Sequence, residues 1–245
     1  MIAIKTINLT KKYNNLFAVD NLNLEINKGE LFSLLGINGA GKTTTIKMLS
    51  TLTKPTSGDA FILNNSIITS SSKIKSLIGV SPQETAIALN LTVKENLEFI
   101  CGINKFSKDK TNQKIEEIIK EFNLSNVINK KANKLSGGYM RRVSIAMALI
   151  TDPDILFLDE PTLGLDVIAR SELWDIIRNL KTKITIILTT HYMEEAEALS
   201  DRIGIMKEGK LLVIGTTDYI KKITYTDKFE EAFIKVIKGE YVCEC

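Results

Sequence analysis

Residues 31–44 read LFSLLGINGAGKTT, and this stretch is the most informative one about the fold. Its first five residues, Leu31–Leu35, form a short apolar run that is typical of a strand buried on both faces. A glycine-rich loop follows, and a helical pattern then extends from about Lys42 to Leu52. Residues 36–43 match the phosphate-loop (Walker A) pattern in the context that it requires, a strand before and a helix after. The stretch therefore predicts an α/β nucleotide-binding core rather than a chance glycine turn.

The glycines of the phosphate loop let the backbone wrap closely around phosphate groups. Successive N–H groups can then point at phosphate oxygens near the positive end of the following helix. We expect Lys42 to reach the β- and γ-phosphates and the Thr43 hydroxyl to hold Mg²⁺. The loop residues predicted to bind the nucleotide are Gly36, Ile37, Asn38, Gly39, Ala40, Gly41, Lys42, Thr43 and Thr44.

Strands and helices alternate along the remainder of the chain. Residues 2–9 and 22–26 alternate apolar and polar side chains, as half-buried strands do. From about Thr92 the period becomes helical, which predicts a helical insert over about 84–150. Further strands are predicted at 60–63, 76–80, 155–158, 184–189, 202–206 and 211–214, and further helices near 169–180, 193–199, 219–223 and 228–237. Such alternation indicates a parallel sheet with right-handed crossovers.

Charge and hydropathy exclude several classes of protein. The 245 residues include 32 basic and 29 acidic ones, a net charge of +3. These charges are spread along the chain, whereas a nucleic-acid interface needs basic residues clustered on one face, so we expect no nucleic-acid partner. No apolar stretch reaches the roughly 18 residues that span a bilayer, and the first ten residues lack the apolar middle of a signal peptide. We therefore expect the chain to remain in the cytoplasm.

Three cysteines, Cys101, Cys243 and Cys245, fit no zinc-ligand spacing. Their odd number also does not suggest a disulfide framework. We expect all three to be reduced thiols without a role in the chemistry.

An Asp-Glu pair ends the predicted strand at 155–158. Asp159 would emerge at the sheet edge beside the phosphate loop, where its carboxylate would hold Mg²⁺ through water. Glu160 would point elsewhere, and it could orient or deprotonate the attacking water. The alternative is an ordinary strand end facing solvent, and the phosphate loop argues against it.

Two other polar residues are predicted at the same edge. His191, the only histidine, follows another buried-strand pattern, and an imidazole there can hydrogen-bond a γ-phosphate and so distinguish a triphosphate from a diphosphate. Gln83 lies where the sheet core passes into the helical insert, and its amide could contact Mg²⁺ or the attacking water. A structural histidine and a polar loop glutamine are the alternatives. The predicted catalytic residues are thus Lys42, Gln83, Glu160 and His191, and the predicted metal-binding residues are Thr43, Gln83 and Asp159.

Tyr13 lies on or just after the first strand, well before the phosphate loop. An aromatic ring at this position could stack on a nucleotide base, with Val19 packing beside it. Core or surface packing is the alternative for both residues.

The segment Leu135-Ser136-Gly137-Gly138-Tyr139 opens an apolar helical run. Ser136 can cap a helix, and the two glycines allow an anion to approach the helix N-terminus closely. An ordinary turn and N-cap would explain the serine, but it leaves two consecutive glycines where they cost helix stability. No role for this segment on the nucleotide of the same chain can be constructed.

From Tyr13 to about Gly215, the ordered set of motifs resembles the nucleotide-binding subunit of an ATP-binding cassette (ABC) transporter. The resemblance identifies residues 135–139 as the signature motif, Gln83 as the Q-loop, Asp166 as the D-loop aspartate and His191 as the switch histidine. It implies an α/β P-loop ATPase core with a mainly parallel sheet, an N-terminal antiparallel β subdomain and an inserted α-helical signature subdomain. Residues 1–245 would be a single nucleotide-binding domain, with a short C-terminal extension over about 216–245.

The resemblance also implies ATP and Mg²⁺ as cofactors and a head-to-tail dimer with two ATP molecules at its interface. Each ATP would be held by one subunit's phosphate loop and by Ser136, Gly137 and Gly138 of the other subunit. Closing and reopening of this dimer would drive transmembrane partners between inward and outward states.

Two departures from the commonest family pattern indicate the type of transporter. Tyr139 stands where the signature usually has glutamine, and residues 161–166 read PTLGLD rather than the form common in solute importers. Both variants are similar to ATPase subunits of drug, antibiotic, lipid or polysaccharide exporters, whose membrane subunits are separate chains. This resemblance implies a second copy or a paralogous ATPase subunit, separate permease subunits, and a location at the cytoplasmic face of the cell membrane.

Two other classes of ABC protein are weighed against the exporter. A soluble ATPase without a transport role, for example in iron–sulfur cluster assembly, can be equally small. A nucleotide-switched factor acting on ribosomes or DNA usually carries two cassettes or a long inserted coiled coil, and this sequence has neither. The exporter ATPase is therefore the leading hypothesis, and its cargo stays open because the cargo contacts would lie on the membrane partner.

Overall fold

Two β-sheets and the helices packed on them form the structure, a computed structural model that describes residues 1–181 and 183–242. The strands are β1 (Ile2–Tyr13), β2 (Leu16–Asn27), β3 (Leu31–Leu35), β4 (Ser57–Ile62), β5 (Asn65–Ser66), β6 (Ile78–Ser81), β7 (Ile155–Asp159), β8 (Thr185–Thr190), β9 (Arg202–Lys207) and β10 (Lys210–Gly215). The helices are α1 (Lys42–Leu49), α2 (Ser71–Lys75), α3 (Val93–Ile103), α4 (Lys108–Glu121), α5 (Gly137–Leu149), α6 (Val167–Lys181), α7 (Met193–Leu199), α8 (Thr217–Thr224) and α9 (Phe229–Lys238), with a short 3₁₀ helix at Ala132–Lys134. The cysteines Cys243 and Cys245 lie outside the described residues.

The N-terminal strands form an antiparallel sheet in the order β2-β1-β4-β5. Strands β1 and β2 are longer than the apolar alternation predicts. Their last two pairs, Lys12 with Phe17 and Tyr13 with Leu16, are exposed. Because alternation marks only the part of a strand that covers a core, it ends before the backbone pairing does.

The second sheet has the order β10-β9-β3-β8-β7-β6, and its strands from β9 to β6 pair in parallel. Strand β10 joins its edge antiparallel to β9. Every residue of β3, β7 and β8 is buried, as continuous apolar runs predict for strands covered on both faces. The mainly parallel sheet beside an antiparallel N-terminal sheet confirms the predicted fold class.

Helices cover both faces of the parallel sheet. On one face, α3 to α6 share a core that includes Leu97, Ile118 and Val143, and on the other face α1 and the N-terminal sheet share a second core. The last helices, α8 and α9, pack with α7 on β9 and β10. The short elements β5 and α2 were not predicted because this segment is polar, with Ile74 the buried residue of α2. Within the described residues, no helix is long and apolar enough to cross a membrane.

The parallel order brings three strand ends to one edge of the sheet. Strand β8 lies between β3 and β7 and pairs with both. The phosphate loop leaves the end of β3, Glu160 follows β7, and His191 follows β8. These three segments are therefore neighbours in space although they are distant in sequence.

Candidate functional site

A cavity of about 750 Å³ lies at this carboxyl edge of the parallel sheet. The predicted site residues that line it are Tyr13, Asn38, Gly39, Ala40, Gly41, Lys42, Thr43, Thr44, Gln83, Glu160 and His191. The predicted residues that are not part of this lining are Val19, Gly36, Ile37, Ser136, Gly137, Gly138, Asp159 and Asp166. The fold thus gathers catalytic and nucleotide-binding candidates from five separate segments into one cavity.

The phosphate loop is held in a conformation that its glycines permit. Gly41 has φ +104°, and an added Cβ there would lie 2.3 Å from the carbonyl oxygen of Ala18. The turn between β9 and β10 supports the loop from outside, since the Gly209 N–H donates to the Ala40 carbonyl at 3.0 Å. Helix α1 begins at Lys42 without an acidic residue in its first turn. The positive end of this helix therefore faces the cavity with no carboxylate of its own to neutralise it.

Lys42, Glu160 and His191 form a contiguous charged group in the cavity wall. The Lys42 ammonium donates to the carbonyls of Gly36 at 2.8 Å and Ile37 at 3.2 Å, and it lies 3.3 Å from Glu160 Oε1. The other carboxylate oxygen of Glu160, Oε2, lies 2.6 Å from His191 Nδ1. A carboxylate between an ammonium and an imidazole can accept a proton from water while its neighbours bind anionic oxygens.

Asp159 lies behind this group, buried at the end of β7. Its Oδ1 accepts hydrogen bonds from the hydroxyls of Thr43, at 3.1 Å, and Thr189. A hydroxyl and a carboxylate side by side are oxygen ligands of the kind that Mg²⁺ prefers. The described residues contain no cluster of three or more His, Cys, Asp or Glu side chains suited to a metal ion, so any bound Mg²⁺ would take its remaining ligands from phosphate, an amide or water.

Arg141 is a residue of the site that the sequence analysis did not select. Arg141 lies on α5 and is only 5% exposed. Its guanidinium donates hydrogen bonds to the main-chain carbonyls of Pro82 at 2.7 Å, Gln83 at 2.8 Å and Glu160 at 3.3 Å. Burial lowers the pKa of Arg141, and the charges of Asp159 and Glu195 act in the opposite direction. The available signal was an arginine pair, Arg141 and Arg142, inside an otherwise apolar helical run.

A second buried charge, Glu195, lies on α7 just after the His191 turn. Its carboxylate accepts a hydrogen bond from the Trp174 indole at 3.1 Å. Burial raises the pKa of Glu195, and the hydroxyls of Thr190 and Thr162 oppose that shift, followed by Trp174 and Arg170. Through Trp174, Glu195 therefore connects α7 to α6.

The structure places the two residues predicted to contact the nucleotide base, Tyr13 and Val19, in different surroundings. Tyr13 lines the cavity and is 47% exposed, with the Lys11 ammonium 5.0 Å from its ring centroid. Val19, in contrast, is fully buried in the core, so the core-packing alternative holds for this residue. The side chain of β2 that lines the cavity is Ala18, with Leu16 and Phe17 beside it. Ala18 thus lies in the cavity wall, and the neighbouring Val19 packs in the core.

The signature segment lies outside the cavity of its own chain. Ser136 caps α5, accepting a long hydrogen bond of 3.5 Å from the Tyr139 N–H, and both Ser136 and Gly137 are exposed. An added Cβ at Gly138 would lie 3.0 Å from the Ala169 side chain. Asp166 caps the start of α6 by accepting from the N–H groups of Ile168 and Ala169 at 2.9 Å. Both helix starts lie at the surface, with Gly137 of α5 and Val167 of α6 exposed.

A larger cavity, of about 960 Å³, contains none of the predicted site residues. Pro153 and Ile184, which precede β7 and β8, lie in its wall, so it is at the amino edge of the sheet. Most of its charged side chains pair with one another, as Lys114 does with Asp152 and Lys183 with Glu121. Nothing in its chemistry suggests a reaction.

Comparison with known proteins identifies the relatives of this chain. A family profile described as "ABC transporter" matches residues 19–163. The "Probable multidrug ABC transporter ATP-binding protein YbhF" of Escherichia coli (strain K12) is 40% identical over 240 residues, covering 96% of this chain and 41% of that protein. The "Daunorubicin/doxorubicin resistance ATP-binding protein DrrA" of Streptomyces peucetius is 38% identical over 220 residues, covering 89% of this chain and 67% of that protein.

Solved structures have the same fold. One described as "Structure of ATP binding subunit of ABC transporter" superposes with a TM-score of 0.85 at 25% identity, covering 96% of this chain and 99% of that one. A second, a dimeric post-hydrolysis state of the ATP-binding cassette MJ0796 bound to ADP and Pi, gives a TM-score of 0.79 at 30% identity and covers 87% and 98%.

Proposed function

The chain belongs to the ABC transporter family, and on that premise we propose that it is the ATP-binding and ATP-hydrolysing subunit of a multicomponent membrane exporter. The observation that carries the proposal is the position of Glu160 between Lys42 and His191, in the wall of a cavity that the phosphate loop also lines. In such a site, water attacks the γ-phosphorus of ATP, the bond to the bridging oxygen breaks, and ADP and phosphate leave.

Each charged group has a separate task in this reaction. Glu160 orients the attacking water and accepts its proton. Lys42 leaves its contact with the carboxylate and binds the β- and γ-phosphate oxygens. His191, whose Nδ1 is held by Glu160, offers its other ring nitrogen to the γ-phosphate. The N–H groups of the phosphate loop, residues 36–44, hold the remaining phosphate oxygens at the start of α1.

The residues around Asp159 fit a Mg²⁺ ion. The Thr43 hydroxyl donates to Asp159 Oδ1 at 3.1 Å, and Gln83 lines the cavity together with Thr43. The Thr43 hydroxyl would bind the ion directly, Asp159 would hold it through water, and the Gln83 amide would contact it or the attacking water. When bound, Mg²⁺ neutralises charge that develops on the β- and γ-phosphates.

The adenine base would stack on Tyr13, whose exposed ring lies in the wall of the same cavity. Ala18 would pack beside the nucleotide in place of Val19. Aromatic stacking of this kind adds about 0.5–1.5 kcal/mol beyond the burial of surface.

The site is completed by a second subunit, either another copy or a paralogous ATPase. Ser136, Gly137 and Gly138 would bind the γ-phosphate of the ATP held by that subunit, and Asp166 would lie at the same interface. Two observations support this: the start of α5 is exposed and lies outside its own cavity, and its first turn has no acidic residue. The dimeric cassette among the structural relatives is consistent with such a pair.

The membrane partners are separate permease subunits, which hold the chain at the cytoplasmic face of the cell membrane. The proposed exporter class is that of drugs, antibiotics, lipids or polysaccharides. Within it, the names of the relatives YbhF, a probable multidrug transporter protein, and DrrA, a daunorubicin/doxorubicin resistance protein, support a drug or antibiotic as cargo. We take residues 1–245 as one nucleotide-binding domain, with a helical insert over about 84–150 and an extension over about 216–245. Helices α3 to α5 fall in the insert, and α8 and α9 fall in the extension.

Two measurements test the proposal. The purified chain should convert ATP to ADP and phosphate in the presence of Mg²⁺, and Lys42→Ala should abolish this activity. A tagged chain expressed in its own host should co-purify from detergent-solubilised membranes with a protein of several apolar spans, identified by mass spectrometry. Absence of hydrolysis would reject the enzyme, and partners that are all soluble would reject the transporter.

A further inference from the structure

Arg141 joins three segments of the site through main-chain contacts. Its Nη1 donates to the carbonyl of Pro82, and its Nη2 donates to the carbonyls of Gln83 and Glu160. Pro82 and Gln83 belong to the loop after β6, here called the Gln83 loop. The third acceptor, Glu160, immediately follows β7 and carries the proposed catalytic carboxylate. One guanidinium of α5 therefore holds both loops at their backbones.

A buried charge with only neutral acceptors needs an explanation. Within the described part of the chain, no carboxylate lies within ion-pair distance of the Arg141 guanidinium, and the residue is 5% exposed. Removing a guanidinium from water is costly unless its donors are satisfied. An apolar side chain would fill this space without that cost. The five N–H donors in a fixed plane provide what an apolar residue cannot, simultaneous hydrogen bonds to separate loops.

Arg141 lies close to the signature segment along α5. The helix begins at Gly137, one turn before Arg141, which is about 6 Å along the helix axis. A single helical turn is a rigid connection. A displacement of the signature segment would therefore be carried to the Gln83 loop and to the backbone of Glu160.

We propose that Arg141 is a positioning residue that links the signature segment at the start of α5 to the Gln83 loop and to Glu160. Binding of the signature segment to a second subunit's nucleotide thereby sets the position of the catalytic carboxylate in its own subunit. The inference rests on the proposed function, because it assumes that Glu160 serves hydrolysis and that Ser136 and its glycines bind nucleotide across an interface.

Arg142 provides a matched control. It is the next residue of the same helix, is 7% exposed, forms an ion pair with Glu172 of α6, and packs its guanidinium over the Tyr139 ring. It makes none of the hydrogen bonds to the Gln83 loop or to Glu160 that Arg141 makes. Arg141→Met and Arg142→Met each remove one buried guanidinium from α5 and keep a long side chain.

The first measurement compares the kinetics of the two variants with those of the wild type. Arg141→Met should lower kcat roughly 100-fold, since a small displacement of catalytic groups is sufficient for such a loss. Its KM for ATP and the affinity of the isolated chain for nucleotide should stay within about threefold, because the phosphate loop and Tyr13 are untouched. Arg142→Met should lose a similar amount of Tm but keep kcat near the wild-type value. Arg141→Lys, which retains charge but fewer donors, should fall between them.

A double variant separates positioning from a general structural defect. If Arg141 acts through Glu160, Arg141→Met should reduce turnover little further when Glu160→Gln is already present. Multiplication of the two losses would overturn the proposal. So would an Arg141→Met enzyme with wild-type kcat, or equal losses of kcat in the two arginine variants.

Hydrogen–deuterium exchange supplies a readout that does not depend on hydrolysis. Residues 82–91 and 160–166 should exchange faster in Arg141→Met, and in Arg141→Lys if the Met variant does not fold, but not in Arg142→Met. Unchanged exchange in these segments would reject the role of Arg141 whether or not the chain is active. A wild-type chain without ATPase activity but with the expected exchange pattern would instead reject the proposed function alone.

Discussion

Contacts with neighbouring residues fix both the backbone and the side chain of Glu160. Its φ of +48° lies in the left-handed region, which is unfavourable for a residue with a side chain. The N–H donates to the carbonyl and the hydroxyl of Thr189, each at 3.1 Å, and the carbonyl accepts from Arg141. These contacts maintain a strained conformation that directs the carboxylate toward Lys42 and His191. The strain therefore coincides with the group that the proposed reaction needs most.

Glu160→Gln should abolish most of the ATPase activity while ATP binding is retained. Glutamine keeps the volume of the side chain but cannot accept a proton from water, so turnover should fall about 100-fold or more. Unhydrolysed ATP should then accumulate in a dimer, which size-exclusion chromatography with ATP and Mg²⁺ would detect. Hydrolysis at the wild-type rate would contradict the assigned role.

The raised pKa of Glu195 predicts that the stability of the chain depends on pH. Because burial raises its pKa, the folded chain binds this proton more tightly than the unfolded chain does. Its contribution to stability is thus present below the ordinary value of 4.5 and is lost as the pH rises through the raised value. Glu195→Gln is neutral throughout, so its Tm relative to the wild type should rise as the pH increases from 4.5 toward and through the raised value, by about 2–4 °C per kcal/mol.

Thermal unfolding of both proteins across this range tests the pH prediction. Glu194→Gln is the matched control, because Glu194 is an exposed neighbour on the same helix. Its Tm difference from the wild type should not vary with pH in the same way. A constant difference for Glu195→Gln would mean that this carboxyl is not responsible for the pH dependence.

At the scale of elements, the beginning of α5 is poorly adapted to the stability of the helix. Two glycines open it, each costing about 0.5–1 kcal/mol relative to alanine, and its first turn has no acidic residue. Helices α4 and α8 begin in the ordinary way, with a capping Ser107 or Thr216 and an aspartate in the first turn. The start of α5 is thus suited to contact with an external anion rather than to maximal helix stability.

Ser136→Arg should impair hydrolysis and leave the nucleotide affinity of the isolated chain nearly intact. The bulky side chain blocks the exposed helix start but lies outside the cavity of its own chain. Activity assays and nucleotide titration would measure the two effects. Ser107→Arg is the control, since it replaces another exposed N-cap serine. Loss of that cap should lower the stability of the chain by about 1 kcal/mol and leave the ATPase activity unchanged. A collapse of monomer affinity in Ser136→Arg would contradict the cross-subunit site.

At the scale of the whole molecule, the proposed function requires each chain to supply one half of each of two different sites. The cavity and the start of α5 are separate surfaces, so a chain cannot supply both to the same nucleotide. A two-fold pair resolves this, since each copy then offers its phosphate loop and its signature segment to the other.

Mixing two inactive variants should restore hydrolysis. Lys42→Ala removes the phosphate contact and Ser136→Arg blocks the signature segment, so each homodimer lacks both sites. A mixed dimer retains one site, built from the phosphate loop of the second variant and the signature segment of the first. An equal mixture should reach up to about one quarter of the wild-type rate, because half of the dimers are mixed and each has one site of two. No recovery on mixing would indicate that each site is complete within one chain.

Much of the fold and part of the site follow from local patterns in the sequence. The apolar runs of β3, β7 and β8 predicted buried parallel strands, and the residues that end them predicted where Lys42, Glu160 and His191 would meet. The burial of Val19 in the core could not be read from the sequence, since register shifts lie between Leu9 and Lys12 in the pairing of β1 with β2. Such irregularities change which face a side chain occupies, and alternation along one strand does not reveal them.

The phosphate loop, most of the order of strands and helices, and the family follow from the sequence alone, because glycines, apolar runs and caps act on their immediate neighbours in the chain. The tertiary structure was needed to show that Ala18 and not Val19 lines the cavity, that Arg141 holds Gln83 and Glu160, and that Glu195 is buried beside the His191 turn. These arrangements depend on contacts between residues far apart in sequence and on the burial of charge. Both are set by how the sheets and helices pack, and no local pattern carries that information.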